Sequence, residues 1–397
     1  MKALTTKLLK WMNQQFGPFN AKRLLFILCM LGGMIIPSIY ALLLILIFPY
    51  YWNIAESQKD IDLLVMDYNY VSLLPAFFLI VEGINNTEIT LNLFVIFFMY
   101  QIITSIVFYL MATCSWKLLG KYSGFFLGIA LLLKVIPFMG ITDWISPLQL
   151  SGVLFPGFGI LGLVCLLFFI SVLNNKKVVA GFILLSLIAN LFFYFNQKTL
   201  PPQWTALQTA INDKNEYKLV LPQMVSSSSA NYFLTPESAG SDIYKTKAHW
   251  LNLLPEDKFV FFEVNGIDPK TNLELNALSL FHNRQMKILY KQRQPMPIWM
   301  WAPFEKNNTP VHWFSNHRPF EFNHLKISAF ICYESFLTWP YIFSLMFKPD
   351  LMMVSANLAH TDHSILKNYH LRNIEVWSRL FNVPALVSIN SKAAGNK

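Results

Sequence analysis

Long apolar runs fill residues 1–198 of the chain, whereas only short apolar runs occur after residue 200. A helix needs roughly 20 predominantly apolar residues to cross the hydrocarbon layer of a bilayer. Five runs approach that length and a sixth is shorter, namely residues 24–49, 91–112, 124–141, 150–173 and 178–195, and then residues 70–84. The pattern predicts a transmembrane helical bundle over residues 1–198, with about five to seven spans. Gly32, Gly33 and Pro37 allow the first run to be either one kinked span or a tight pair.

The basic residues predict how this bundle is oriented. The first 23 residues contain no acid and carry Lys2, Lys7, Lys10, Lys22 and Arg23, which is typical of a cytoplasmic segment. Lysine pairs at positions 117 and 121 and at 176 and 177 predict two further cytoplasmic loops, whereas residues 82–88 and the loop around Asp143 lack basic residues. This alternation places residues 199–397 on the periplasmic side of a bacterial inner membrane.

The second half, residues 199–397, has the pattern of an α+β domain. Short runs rich in β-branched and large apolar residues predict buried strands at 259–264, 326–332, 351–355 and 385–389. Residues 363–381 repeat apolar side chains at helical spacing and predict an amphipathic helix. Strands alternating with helices indicate a sheet covered by helices. The predicted fold class is therefore an α+β membrane protein with two domains, residues 1–198 and 199–397.

Composition narrows the classes of function. With 54% hydrophobic and 13% charged residues, the chain is not an ordinary soluble enzyme. The net charge of +9 is compatible with cationic loops that face anionic lipid. Residues 199–397 contain no basic tract interleaved with aromatic residues, so no direct binding of nucleic acid is predicted.

Cys332 is the cysteine with the clearest chemical potential. The other cysteines, Cys29, Cys114 and Cys165, lie in the apolar runs, so the second half has a lone thiol and no disulfide framework. Cys332 ends a predicted strand and precedes a turn, which is the placement of an exposed nucleophile. A thiol attacks only as the thiolate and needs a base or a cation beside it. The alternative is a buried cysteine that only packs.

Three segments of the second half carry a resemblance to a known family, namely FICYE at 330–334, LTPESA at 234–239, and NAL at 276–278 with YKQR at 290–293. They resemble segments of the apolipoprotein N-acyltransferases, which are membrane members of the nitrilase or carbon–nitrogen hydrolase superfamily. FICYE at 330–334 resembles their nucleophile segment, and LTPESA at 234–239 resembles the segment that holds their glutamate base. Their lysine lies two residues after a tyrosine, on a strand that follows an Asn-Ser/Ala-Leu stretch. Here NAL at 276–278 precedes YKQR at 290–293, so Lys291 is the closest match, one position early.

Two further segments are closer to the nitrilase-like conjugal transfer proteins called TraB. They are WISPLQLSGVLFPGFG at 144–159 and QPMPIWMWAP at 294–303. Together the resemblances imply an α-β-β-α sandwich for residues 199–397 and a TraB-like relative of the acyltransferases.

The resemblance also implies the chemistry. Glu237 would be the base, Lys291 the ammonium that favours the thiolate, and Cys332 the nucleophile that carries an acyl group as a thioester. Glu334 is either a supporting acid that holds Lys291 or an amine, or a solvated acid at the start of a helix. A membrane phospholipid would be the acyl donor and an amine of a protein or peptide the acceptor. A link to the conjugation machinery is implied, and no cofactor.

Several alternatives remain open from the sequence. Gln223 and Glu263 compete with Glu237 for the position of the base, although their spacing fits less well. The acyltransferases carry a second glutamate in a PFGE segment soon after the lysine, and the nearest counterpart is PFE at 303–305. The chain also ends at Lys397, before their last strands and final span. These departures favour a second hypothesis, a non-catalytic accessory of a conjugal-transfer or secretion system that uses the scaffold as an interaction module.

A metal site is the last candidate. His360, Asp362, His363 and His370 have a spacing that zinc ligands can adopt. No HExxH or paired-cysteine motif accompanies them, so no metal is predicted.

Overall fold

The structure is a computed structural model with a mixed α+β fold. It describes residues 21–86, 91–119, 124–173, 175–211, 214–237, 250, 252–267, 274–297, 300, 310–359 and 364–391.

Helices form the first half of the chain. They are α1 Ala21–Ile35, α2 Ile47–Ile54, α3 Gln58–Asn86, α4 Leu91–Leu119, α5 Gly124–Leu133, α6 Leu150–Leu154, α7 Ile160–Ser171 and α8 Lys176–Asn196, with 3₁₀ segments at Ile39–Leu46 and Pro147–Gln149. Within the described ranges, two helices are long and apolar enough to cross a membrane, Phe98–Leu119 and Lys176–Asn196. Ile39–Ile54 and Ile160–Ser171 are apolar but shorter. The predicted bundle of about five to seven spans therefore stays a prediction.

Three of the predicted spans are not continuous helices. Residues 24–49 break after Ile35 and fold into a tight pair, in which a Cβ on Gly33 would lie 2.8 Å from the Ile45 side chain. Residues 124–141 are helical only as far as Leu133. Residues 150–173 break between Leu154 and Ile160. The physical reason for the third break is that the Gly157 and Gly159 amides donate to carbonyls at the end of a later helix, at 2.8 and 2.7 Å.

The second half contains two sheets. Its strands are β1 Trp204–Ala206, β2 Tyr232–Leu234, β3 Phe259–Ile267, β4 Glu274–His282, β5 Gln285–Lys291, β6 Phe320–Phe322, β7 Leu325–Ile331, β8 Leu351–Asn357 and β9 Ala385–Asn390. Its helices are α9 Lys214–Ser227, α10 Thr338–Leu345 and α11 Ser364–Phe381. The first sheet has the order β1-β2-β3-β4-β5, with β1, β2 and β3 parallel and the rest antiparallel. The second has the order β6-β7-β8-β9, with β7, β8 and β9 parallel.

The four predicted strands and the predicted amphipathic helix are all present, as β3, β7, β8, β9 and α11. Their near-continuous apolar sequences arise because each strand is covered on both faces. One apolar cluster lies between the sheets and includes Leu234, Phe261, Ile327 and Met353. A second joins the outer face of the first sheet to α9, and a third joins the outer face of the second sheet to α10 and α11. The described elements are thus layered as α-β-β-α.

Helix α11 fastens the sandwich to the first half of the chain. The Arg372 guanidinium donates to the carbonyls of Met34 and Ile36, at 3.0 and 2.7 Å, where α1 ends. Arg379 donates to the Asn190 side chain of α8 at 2.8 Å. One apolar cluster runs without a break from Trp144 and Val153 to Trp377. The two halves therefore share a core.

The contact between α6 and α11 requires a glycine. A Cβ on Gly152 would lie 2.1 Å from the Val376 carbonyl oxygen, which is backbone and cannot rotate away. We expect Gly152→Ala to lower the free energy of unfolding by about 1–3 kcal/mol through overpacking. Thermal unfolding of the full chain in detergent, followed by circular dichroism, measures the change.

Gly181 in α8 is the matched control, since a Cβ there meets nothing within 4 Å. Gly181→Ala should leave the unfolding temperature unchanged or raise it slightly. Equal effects of the two substitutions would contradict the close packing of α6 on α11.

Candidate active site

Cys332 lies directly after β7, at the first position of a 3₁₀ turn, Cys332–Phe336. Its φ is +47°, in the left-handed region that residues with a side chain seldom adopt. Such backbone conformations cost about 1–3 kcal/mol and are concentrated at functional sites. The Ser335 hydroxyl donates to the Cys332 carbonyl, and the Asn373 side chain donates to the Ser335 carbonyl at 2.6 Å. The thiol is therefore held at a tight strand-to-helix turn, as the sequence predicts, but it is buried and not exposed, because it packs between the two sheets.

Glu237 follows β2 and lies against this thiol. Its side chain is hydrogen-bonded to Cys332 and is only 6% exposed. The Asn357 amide at the end of β8 donates to Oε2 at 3.0 Å, and the Asn276 side chain donates to Oε1 at 3.5 Å. These residues meet because β2, β7 and β8 present their carboxyl ends at the same edge of the sandwich. The structure thus brings together two of the three predicted catalytic residues.

Burial dominates the proton affinities of this pair. It raises the pKa of Glu237 to about 7, against the hydrogen bonds from the thiol and from Asn357, which lower it. Burial also raises the pKa of the Cys332 thiol well above its usual value, and the carboxylates of Glu237 and Glu263 raise it further. Near neutral pH the resting Cys332 is therefore a neutral thiol, and Glu237 is divided between its neutral and its ionised form.

Lys291 is not brought to this pair. It is the last residue of β5 and is paired with Ala277, whose side chain belongs to the cluster on the outer face of the first sheet. Its charge acts instead on His312, since burial and Lys291 together lower the pKa of that imidazole. Side chains alternate between the two faces of a strand, so Lys291 projects away from the space between the sheets.

Gln292 is the residue of this segment that faces the site. Its side chain is 1% exposed, accepts a hydrogen bond from Asn276 at 3.0 Å and donates to the Ile331 carbonyl at 3.0 Å. Ile331 immediately precedes Cys332, the predicted nucleophile. Gln292 is also two residues after Tyr290, the position at which the resemblance expects a lysine. A neutral amide therefore occupies the place expected for an ammonium.

Glu334 accepts hydrogen bonds from several buried groups and is not a partner of Lys291. It accepts from the Tyr290 hydroxyl at 2.8 and 2.6 Å, from the Ile331 amide at 3.0 Å and from the Gln294 amide at 3.2 Å. It also accepts from the Arg293 amide and forms an ion pair with the Arg293 guanidinium at 3.4 Å. Both side chains of this pair are fully buried. Glu334 thereby joins the end of β5 to the 3₁₀ turn Cys332–Phe336, which we call the nucleophile turn.

The other sequence candidates fall in different places. Gln223 is exposed on α9, whereas Glu263 is buried on β3 and close enough to act on the Cys332 thiol. His370 is buried and its Nε2 is hydrogen-bonded to the Ser335 hydroxyl. His360, Asp362 and His363 lie outside the described residues. Within the described ranges, no group of three or more His, Cys, Asp or Glu side chains is arranged to hold a metal ion.

Sequence reasoning missed Asn276 and Asn357 as well as Gln292. Asn276 belongs to the NAL segment, which served only to locate the lysine. The available signal for its role was a polar residue on the face of β4 that points toward the second sheet. Asn357 contributes through its backbone amide, and no side-chain pattern announces such a donor.

Comparisons with known proteins agree with the resemblance seen in the sequence. No protein-family model matches the chain. Conjugal transfer protein TraB of Agrobacterium fabrum is 25% identical over 286 residues, which cover 67% of this chain and 66% of that protein. A probable conjugal transfer protein TraB of Sinorhizobium fredii is 25% identical over 284 residues, covering 66% of this chain and 72% of that protein. The chain thus spans just under two thirds of the length of the first of these relatives.

Solved structures of the nitrilase superfamily overlap the chain in part. A carbon–nitrogen hydrolase from Helicobacter pylori covers 47% of this chain and 72% of its own, with 11% identity and a TM-score of 0.36. Nit3 of Saccharomyces cerevisiae, a member of branch 10 of the nitrilase superfamily, covers 48% and 75%, with 11% identity and a TM-score of 0.35. The TraB-like resemblance predicted from the sequence is confirmed by the two curated relatives: over 67% of its length the chain is similar to the conjugal transfer protein TraB.

Proposed function

We propose that the chain is a membrane-associated thiol acyltransferase of the nitrilase type, acting in conjugal transfer as its TraB relatives do by name. The observation that carries the proposal is the buried hydrogen-bonded pair of Glu237 and Cys332, at a turn where the nucleophile has a strained backbone. A nucleophile with a general base in hydrogen-bond contact is the minimum requirement for covalent acyl transfer.

The first half-reaction forms a thioester. As Sγ of Cys332 attacks the ester carbonyl carbon of the donor, the thiol proton moves to the Glu237 carboxylate. The carbon–oxygen bond of the ester then breaks, and the departing alkoxide takes the proton back from Glu237. The products are the acylated Cys332 and a donor alcohol with one acyl chain fewer.

The second half-reaction frees the enzyme. The nitrogen of an acceptor amine attacks the thioester carbonyl carbon and gives a proton to Glu237. The carbon–sulfur bond breaks, the sulfur takes that proton, and an amide leaves. One carboxylate therefore serves in turn as base and acid in each half, and no cofactor is needed.

A phospholipid is the proposed donor and an amine of a protein or peptide the proposed acceptor. Taking an acyl chain into water costs about 0.8 kcal/mol per methylene, or on the order of 10 kcal/mol for a 16-carbon chain. A site fastened to apolar helices avoids that cost. The two apolar helices and the anchoring of α11 on the first half support a site beside the membrane. The distribution of basic residues in the first half supports a sandwich on the periplasmic face of the inner membrane.

The test is to incubate the full chain in detergent with a phospholipid that carries a fluorescent acyl chain. Label should stay with the wild-type protein, be released by hydroxylamine, and be absent from Cys332→Ala. Cys114→Ala is the matched control, because that cysteine is exposed in α4 and lies outside the site. Label that survives hydroxylamine, or equal labelling of Cys332→Ala, would reject a thioester on Cys332.

The second candidate is a non-catalytic accessory of the transfer machinery that uses the sandwich to bind partners. The observation behind it is the neutral Gln292, which occupies the position expected for the lysine and brings no ammonium to the thiol. Absence of label in the wild-type protein would support this candidate.

A further inference from the structure

Two neutral side-chain amides, those of Asn276 and Gln292, connect Glu237 to the backbone just before Cys332. The Asn276 side chain bridges Glu237 and Gln292, and Gln292 donates onward to the carbonyl of Ile331. Asn276 is 3% exposed and Gln292 1% exposed, so neither amide exchanges these bonds freely with water. Both polar atoms of the Gln292 side chain are engaged, which fixes its orientation between the two catalytic elements.

Several neighbouring elements contribute groups around the thiol, and the charged groups among the described residues are mainly acidic. Glu237 follows β2, Glu263 lies on β3, and Glu334 lies in the nucleophile turn, where Arg293 and the Tyr290 hydroxyl bind it. The end of β8 contributes the Asn357 amide, and β4 contributes the neutral Asn276. Among described residues, the charges that act most strongly on Cys332 are those of Glu237 and Glu263.

We propose that Gln292 is a positioning residue that replaces the expected ammonium by a neutral clamp, so that Cys332 rests as a thiol aligned on Glu237. The clamp holds the Ile331 carbonyl, and with it the strained backbone of the nucleophile. It gives no charge that would ionise the sulfur. The thiolate then forms only as Glu237 takes the proton during attack, which protects the resting sulfur from oxidants and alkylating agents. This inference rests on the proposed role of Cys332 as the nucleophile.

The test measures the rate of alkylation by iodoacetamide as a function of pH. The full chain is used in detergent, with Cys29, Cys114 and Cys165 replaced by alanine so that Cys332 is the reporter. The wild-type midpoint should lie above the value near 8.5 of a free thiol. Gln292→Lys should lower the midpoint by about 1–3 pH units, the effect of an opposite charge within a few ångströms. Gln292→Met, of similar length but without charge, should not lower it.

Lys291→Gln is the matched variant one residue away, and it keeps the test decisive even if Gln292→Lys fails to fold. If Lys291 projects away from the site, its loss should leave the midpoint unchanged. A rise of one unit or more in Lys291→Gln, a wild-type midpoint below 8, or no shift in folded Gln292→Lys would overturn the proposal. Alkylation needs no acyl donor, so failure of this inference is distinguishable from failure of the proposed acyl transfer.

Discussion

Glu237→Gln is expected to lower the rate of acyl transfer by about 10²–10⁴-fold, the usual contribution of a positioned general base. The amide preserves the size of the side chain and can still meet the Cys332 sulfur, but it cannot accept the thiol proton. The comparison uses initial rates of acyl transfer from the fluorescent phospholipid to a peptide amine. Glu256→Gln is the control, because Glu256 is an exposed acid that forms an ion pair with Arg284 and is not among the residues described around Cys332.

The same pair predicts a pH dependence of the wild-type rate. Burial raises the pKa of Glu237 to about 7, and the group acts as a base only when ionised. The rate should therefore rise as pH increases through about 7 and then level off. This rise of the rate with pH should be absent from the residual activity of Glu237→Gln. If the rate of Glu237→Gln lay within threefold of the wild-type rate, or rose with pH in the same way, another group would take the proton.

Glu334→Ala is expected to cost about 3–5 kcal/mol of unfolding free energy. Removing one member of a buried ion pair leaves the other charge uncompensated. Here the Arg293 guanidinium is fully buried, and the amides of Ile331 and Gln294 lose their acceptor as well. The measurement is chemical denaturation of the purified full chain, followed by tryptophan fluorescence.

The exposed ion pair of Glu256 and Arg284 provides the comparison. Its two side chains are 56% and 68% exposed, and such surface pairs contribute at most about 1 kcal/mol. Glu256→Ala should therefore change stability little. If Glu334→Ala cost no more than Glu256→Ala, the role of Glu334 in joining β5 to the nucleophile turn would be wrong.

The strands and helix of the sandwich were predictable because they are buried on both faces. Apolar runs such as β7 and β8 stand out against polar loops, and α11 repeats its apolar face at helical spacing. β1, β2 and β6 were not predicted, since each has only three residues and carries no periodic signal. The longer β4 and β5 were not predicted from the apolar pattern either, because polar residues interrupt their apolar runs. The position of Cys332 at a strand end followed from the length of the β7 run.

The choice between Lys291 and Gln292 was not accessible to sequence reasoning. β4 and β5 form a hairpin in which Phe281 faces Met286 and Ser279 faces Ile288, but the register then shifts between Leu278 and Ser279. Leu289 is the extra residue of this bulge. A bulge moves every following side chain to the opposite face. Without it, Lys291 would pair with Asn276 and face the thiol.

The interrupted helices of the first half have a similar cause. A window of apolar residues predicts a span wherever the run is long enough, without regard to what the segment contacts. Residues 155–159 carry no charge, yet the Gly157 and Gly159 amides bind the end of α11 instead of continuing a helix. Tertiary hydrogen bonds of this kind depend on residues more than 200 positions away.

The most direct test of the central claim is the mass of the protein after incubation with a phospholipid of one defined acyl chain. We expect a single added mass equal to that acyl group, located by peptide mapping on the segment that contains Cys332 and removed by hydroxylamine. An unchanged mass after prolonged incubation, or an adduct that maps to another cysteine, would contradict the claim that Cys332 and Glu237 carry out acyl transfer.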